Sequence, residues 1–198
     1  MREPSGAARR DEATLRPVSA ADADALMALL SLEPVYRYLN DGAPPTRAQL
    51  DAWLDAAAAT RDPGLGLWRL DAADGALVGC VRLSEGPEGV AWAELTYLLH
   101  PARWGRGLAT AMSRAALERA FRVVGGVRSM GSGGADVMAG ADAPNAASIA
   151  VMERLGMRFL RRVAMPAGSG VEYVLRRAEL STAPPGAPRV RIVEARER

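Results

Sequence analysis

The segment Trp104-Gly105-Arg106-Gly107-Leu108-Ala109-Thr110 combines two glycines, two nearby arginines (Arg103 and Arg106) and the start of an apolar helical stripe. Glycine lets a backbone turn and approach a ligand with no Cβ in the way. The first N–H groups of a helix lack internal partners and sit at the positive end of its dipole, so a phosphate is a natural occupant. Three uses fit the stretch: a ligand-free strand-to-helix turn, a dinucleotide fingerprint, or the phosphate site of a cofactor. The fingerprint fits poorly, because Thr110 stands where G-x-G-x-x-G needs its third glycine and the preceding strands form no βαβ unit.

Glu94 is the best general-base candidate. It lies in the most strand-like run, Val90 to Leu99, on one face with Trp92, Thr96 and Leu98. There it could act directly or through a water; its bland use is a solvent-facing strand glutamate. His100, the one histidine, precedes Pro101 at the strand end, where a base and an ordinary polar residue are its two uses. Cys80, inside a strand, reads as a small core residue. Tyr97 alternates to the face opposite Glu94 and reads as packing. Trp53, Trp68 and Trp92 read as core, with an acceptor pocket as the other use. Neither Ser129 nor Ser169 lies in G-x-S-x-G, which removes the hydrolase elbow.

Composition closes further routes. All 25 basic residues are arginine, so Schiff-base chemistry, pyridoxal-phosphate chemistry and the lysine-bearing phosphate loop drop out. One cysteine and one histidine form neither an internal disulfide nor a zinc cluster, and no metal is expected. A net charge of +2 is too weak a field to imply nucleic acid. No apolar run nears the roughly 18 residues of a spanning helix, and the start carries no secretory signal. A cytoplasmic protein with no membrane partner is expected. With 49% hydrophobic and 24% charged residues, the chain can bury a sizeable core.

Hydropathy periodicity supplies the elements that must hold these residues. Residues 1–12 read as a solvated arm. Ala13 to Val18 alternates as a first strand. Ser19 with Asp22 starts a helix whose stripe Leu26, Leu29, Leu30 stops at Pro34. Thr46 with Gln49 starts another, ended by Asp62-Pro63-Gly64. Leu65 to Leu70 and Ala76 to Leu83 flank the Asp74-Gly75 hairpin turn, and Glu85 to Gly89 turns into the Val90 strand. A long helix runs from the glycine turn to about Val124, followed by a glycine-rich loop, Gly125 to Gly134. Ala135 to Gly140 is a short strand; Pro144-Asn145 opens a helix that Gly156 closes. Met157 to Met165 and Val171 to Arg177 are the last strands, joined by Pro166 to Gly170. Residues 181–198 read as a Pro-rich, charged tail outside the core. The fold class is α/β, layered as an α+β sandwich, with a single domain over residues 13–180.

The run Glu94-Leu95-Thr96-Tyr97-Leu98-Leu99-His100-Pro101, leading into Trp104 to Thr110, resembles the acetyl-CoA motif of the GNAT N-acetyltransferases, and most of all their RimJ/RimL-like branch. Asn145-Ala146-Ala147-Ser148 through Val151-Met152-Glu153-Arg154-Leu155-Gly156-Met157 is similar to that branch's second hallmark. Leu15-Arg16-Pro17 with Asp22-Ala23 fits its opening. The likeness spans residues 13–177. It implies a mixed, mostly antiparallel sheet of about seven strands with about four helices, splayed between the fourth and fifth strands. It implies acetyl-CoA as cosubstrate, with Trp104, Gly105, Arg106, Gly107, Leu108, Ala109 and Thr110 at the pyrophosphate. Leu98 and Leu99 would pair through their main chain with the pantetheine arm, Asn145 would hydrogen-bond it, and Ser148 would lie near the thioester sulfur. Many relatives carry a tyrosine acid where Met152 stands, which leaves Ser148 or water for that proton.

The implied activity is acetyl transfer to a primary amine by direct attack, with Glu94 and Ser148 catalytic. Freeing an amine of pKa ~10.4 from its proton at pH 7 costs about 4.6 kcal/mol, against about 1 kcal/mol for an α-amine near ~7.8. A protein N-terminus or a weakly basic small-molecule amine therefore suits the chain best. The alternative is a non-catalytic acyl-CoA-binding module. The tail arginines are diluted by Glu194 and Glu197, so no nucleic acid is expected. A homodimer is an expectation by analogy with relatives.

Overall fold

Alternating apolar and polar side chains drive eight stretches into one sheet: β1 (Glu12–Pro17), β2 (Gly66–Ala72), β3 (Leu77–Glu85), β4 (Ala91–Leu99), β5 (Ala135–Asp142), β6 (Arg158–Met165), β7 (Gly168–Leu175) and β8 (Arg189–Ile192). The computed structural model describes residues 12–39, 42–124, 135–165 and 168–194. Across the sheet the order is β6-β7-β5-β4-β3-β2-β1-β8. Neighbours are antiparallel except β4 with β5 and β1 with β8. The helices are α1 (Ala23–Leu30), α2 (Glu33–Tyr36), α3 (Arg47–Ala59), α4 (Leu108–Val123) and α5 (Ala146–Leu155).

The period-2 pattern feeds two cores. On one face α4 and α5 set Met112, Leu117 and Met152 against Leu15, Val81 and Val137. On the other, α1 and α3 set Leu26, Leu30 and Leu50 against Leu67 and Cys80. Each such side chain, fully buried, contributes roughly 1.5–3 kcal/mol. Thr46 caps α3 as expected: its N–H donates to Gln49 Oε1 at 2.8 Å, and its hydroxyl accepts from the Gln49 N–H at 3.3 Å. Asp22 and Asp71 clamp Arg16 and Arg69 between β1, β2 and the entry to α1, with Asp22 Oδ1 2.8 Å from Arg16 Nη2 and 2.7 Å from Arg69 Nη1.

The β4–β5 ladder is where the sheet opens. Their pairing stops at Glu94 and Met138, although β4 runs on to Leu99 and β5 to Asp142. The strands diverge beyond that pair, in the expected V.

The structure departs from the sequence reading at several points. The first helix ends at Leu30, and Pro34 lies in the first turn of α2, where a missing N–H costs nothing. The joint expected over Pro166 to Gly170 is shorter, since β7 starts at Gly168. Among the described residues the sheet has eight strands rather than about seven, because part of the supposed tail joins it. Arg189–Ile192 runs parallel to β1, pairing Val190 with Ala13 and Ile192 with Leu15. Both apolar side chains pack on the core under α4. Arg114, 4% exposed, donates to the carbonyls of Ser181 and Arg154, and Arg119 pairs with Glu194. These anchors strap residues 181–194 along α4. The arm as far as residue 11 and the Gly125 to Gly134 loop lie outside the described residues.

Candidate functional site

Hydrogen bonds in an antiparallel ladder alternate between neighbouring strand and outer side. The His100 N–H donates to the Val78 carbonyl, and the Gly86 N–H to the Trp92 carbonyl. In the register that follows, Leu98 pairs with Cys80 through main-chain bonds, whereas Gly79 and Leu99 are a non-bonded pair. The main chain of Leu98 is thus spent on β3. That of Tyr97 and Leu99 faces the V, past the last β5 partner. The Leu99 carbonyl is taken by Trp104 Nε1 at 2.7 Å, which locks the half-exposed indole over the strand end.

After Leu99, a 3-10 turn (Pro101–Arg103) and the glycine pair swing the chain into α4. Here His100 acts as a cap: its Nδ1 accepts from the Ala102 N–H at 3.2 Å. Gly105 and Gly107 have φ of 73° and 76°, a left-handed conformation open to glycine and costly for other residues. Gly107 is the N-cap of α4 and has no side chain to offer, and among the described residues no side-chain cap is seen on this helix. The N–H groups of Leu108, Ala109 and Thr110 precede the first intrahelical bond, which joins the Ala111 N–H to the Gly107 carbonyl. Thr110 Oγ1 is buried and has no hydrogen-bond partner among the described residues. The strap reaches this turn too, since a methyl on Gly107 would stand 3.5 Å from Pro188 Cδ.

Across the V, Asn145 caps α5 by accepting the Ser148 N–H on Oδ1 at 3.1 Å. The Tyr97 hydroxyl donates to the Ser148 carbonyl at 2.8 Å. Tyr97 is therefore more than packing. Met152 is fully buried in the core. Cys80 is buried as well, and desolvation pushes its thiol up to about 12, which leaves it inert.

Glu94 rises at the apex of the V from the face opposite α4, half-buried, with Arg82 diagonally across on β3. The sequence reading passed over Arg82. Its signal was available: a charged residue at the parity of Glu94 between Val81 and Leu83, both buried. Trp92 is tied down by Nε1 donating to Asp62 Oδ2 at 3.1 Å, Trp68 is buried beneath Arg119, and Trp53 stacks on Arg82. A separate cavity of about 380 Å³, walled by Ser19, Thr60, Trp68 and Arg119, opens at the start of β2, the end of the sheet far from Leu99. No helix among the described residues is long and apolar enough to cross a membrane.

Comparison with known proteins matches residues 12–158 to the family model of the acetyltransferase (GNAT) domain. Among solved structures, an acetyltransferase of the GNAT family from Bacillus anthracis superposes with a TM-score of 0.66 at 17% identity, covering 83% of this chain and 95% of its own. YncA from Salmonella typhimurium, solved with its cofactor acetyl-CoA, gives 0.65 at 18%, covering 87% and 98%. Spermidine N-acetyltransferase from Vibrio cholerae, in complex with CoA and spermine, gives 0.66 at 15%, covering 84% and 96%. At such identities the likeness is one of fold.

Proposed function

The chain belongs to the GNAT acetyltransferase family, and from that premise we propose that it transfers the acetyl group of acetyl-CoA to a primary amine, in the manner of the RimJ/RimL-like branch. One observation carries the reading: the uncapped first turn of α4 and the Leu99 N–H, turned away from β3, open on the same mouth of the sheet.

The residues fit a diphosphate carried on a long amide-bearing arm. Leu108, Ala109 and Thr110 offer N–H donors, and open space surrounds Gly105 where a Cβ would stand. Thr110 Oγ1 is an orphaned hydroxyl beside them, while Arg103, Arg106 and the Trp104 indole frame the turn. The arm would pair with the main chain of Tyr97, which faces the V. Asn145 keeps its NH₂ group for the arm, its Oδ1 being spent on the cap.

Acetyl-CoA, when bound, supplies an activated acetyl thioester. Glu94 takes a proton from the amine, directly or through a water. The Leu99 N–H faces the V as a donor for negative charge developing on a carbonyl oxygen, a role typically worth about 3 kcal/mol. Ser148 Oγ stands in for the tyrosine acid, since Met152 has no proton to give. The spermine bound in the Vibrio cholerae enzyme supports a small-molecule amine as acceptor. We read the protein as cytoplasmic, working alone or as a homodimer.

Calorimetry with CoA should give saturable heat, and thiol release from acetyl-CoA should rise with one or more members of an amine panel. No heat and no competition at millimolar CoA would remove the reading. Binding without thiol release on any amine would leave an acyl-CoA-binding module instead.

A further inference from the structure

Resting on the acetyl-transfer reading, we propose that the acceptor amine also carries a carboxylate, and that Arg82 is the group that binds this carboxylate.

Arg82 pairs with Thr96 and Ser84 with Glu94 across β3 and β4, so the four side chains rise from one face of the sheet. Each keeps part of its surface exposed, whereas Cys80 and Leu67 on the same face are covered. The patch lies beside the last β4–β5 pair, with Trp53 of α3 at its edge. This patch is the side from which an amine can approach the apex.

The wiring of Arg82 differs from that of other arginines drawn inward. Arg16 and Arg69 meet Asp22 and Asp71. Arg114 meets two carbonyls, and Arg119 meets Glu194 and the Pro63 carbonyl. Among the described residues Arg82 has no ion-pair or hydrogen-bond partner. Its contact is the Trp53 ring, with the guanidinium carbon 5.5 Å from the centroid. Burial lowers its pKa below the usual guanidinium value, and the charge of Glu94 only partly offsets this. A cation drawn partly out of water with no anion in hydrogen-bond reach is costly. A bound carboxylate would remove that cost, and the planar fork, held over the Trp53 ring, suits two parallel bonds to one. Glu94 beside it provides the complementary anion for the amine. A cation and an anion side by side match a dipolar amino acid. A polyamine would bring only positive charge toward Arg82.

The test uses the full chain with saturating acetyl-CoA and compares thiol release for L-amino acids and for their C-terminal amides. Amidation lowers the pKa of the amine, so intrinsic reactivity favours the amide, and a preference for the acid must come from the protein. The acids are expected to exceed the amides by roughly 30- to 100-fold in kcat/KM. R82Q should abolish that preference through a higher KM for the acids, and R82K should restore part of it. Tetrapeptides beginning with Asp or Asn tell whether the carboxylate comes from a free amino acid or from an acidic N-terminus. Equal rates on acids and amides in the unmodified protein would overturn the proposal, as would an R82Q or R82K variant that slows both alike. CoA calorimetry separates the two failures: heat without acid preference sinks this proposal alone, and no heat sinks the acetyl-transfer reading beneath it.

Discussion

The Tyr97 hydroxyl donates to the Ser148 carbonyl oxygen at 2.8 Å, tying β4 to the first turn of α5 across the mouth of the V. Burial pushes the phenol up to about 12, so it stays a neutral donor near neutral pH. Asn145 holds the N–H of the same serine, so both main-chain polar groups of Ser148 are fixed by side chains. Tyr97→Phe should cost about 1 kcal/mol in chemical unfolding. It should lower kcat more than it raises KM for acetyl-CoA, because Ser148 would lose its fixed position. Unchanged kcat would reduce the bond to a structural tie.

Glu94→Gln keeps the shape of the side chain and removes its basicity. Thiol release should fall by roughly 10²- to 10⁴-fold, while CoA still gives its binding heat. Turnover equal to the parent across pH 6 to 9 would exclude Glu94 as the base.

Gly107→Ala should weaken CoA binding about tenfold, because a left-handed φ costs a non-glycine residue roughly 1–2 kcal/mol and the turn would relax away from it. Gly75→Ala is the control. It has a similar φ of 81° with open space around it, in the β2–β3 hairpin, and should lower the melting point without touching CoA affinity. Equal effects of the two on CoA would detach the glycine turn from the ligand.

Asp22→Asn should destabilise the protein by about 3 kcal/mol at pH 7, since it leaves the buried Arg69 guanidinium poorly paired. Burial alone would raise the Asp22 carboxyl, but hydrogen bonds from Arg16, Ser19 and Arg69 overcome this and hold it below the usual carboxylate range. With the folded pKa depressed, the unfolded chain takes up the proton first. The contribution is full above the unfolded value of about 3.9 and drains as pH falls below it. Thermal melts from pH 7 to pH 3 should show a steeper acid loss in the parent than in the variant.

Ending the chain after Ala187 removes β8, the Arg119–Glu194 pair and the cover on Ala13 and Leu15. The half-buried Val190 and Ile192 together suggest a loss of about 2 kcal/mol. CoA affinity should fall as well, since Pro188 lies against the glycine turn. An unchanged melting point would show that the strap adds nothing to the fold.

Much of the scaffold was legible because its signals are short in range. The Thr46–Gln49 cap, the Asp74-Gly75 hairpin and the glycine turn each depend on residues within a few positions of one another. The docking of β8 was missed for the opposite reason. Arg189-Val190-Arg191-Ile192 alternates at the strand period, but a run of four beside three prolines looks like a tail until β1 supplies a partner from the other end of the chain. The site divides in the same way. Glu94 and the turn from Trp104 to Thr110 stand out by residue type, whereas the split between Leu98 and Leu99 needed the register with Cys80 and Gly79.

By itself the sequence determined the order of elements from β1 to β7, apart from the short α2, the anion-seeking start of α4 and the strand carboxylate on the face opposite Tyr97, because backbone geometry and side-chain alternation are local properties of the chain. Tertiary structure alone decided that Tyr97 would reach a serine 51 positions away, that Arg82 would lie on Trp53 with no ion-pair partner among the described residues, and that the last strand would join the sheet beside β1. Each of those contacts depends on how two faces of one sheet are covered, and no short stretch of residues encodes that.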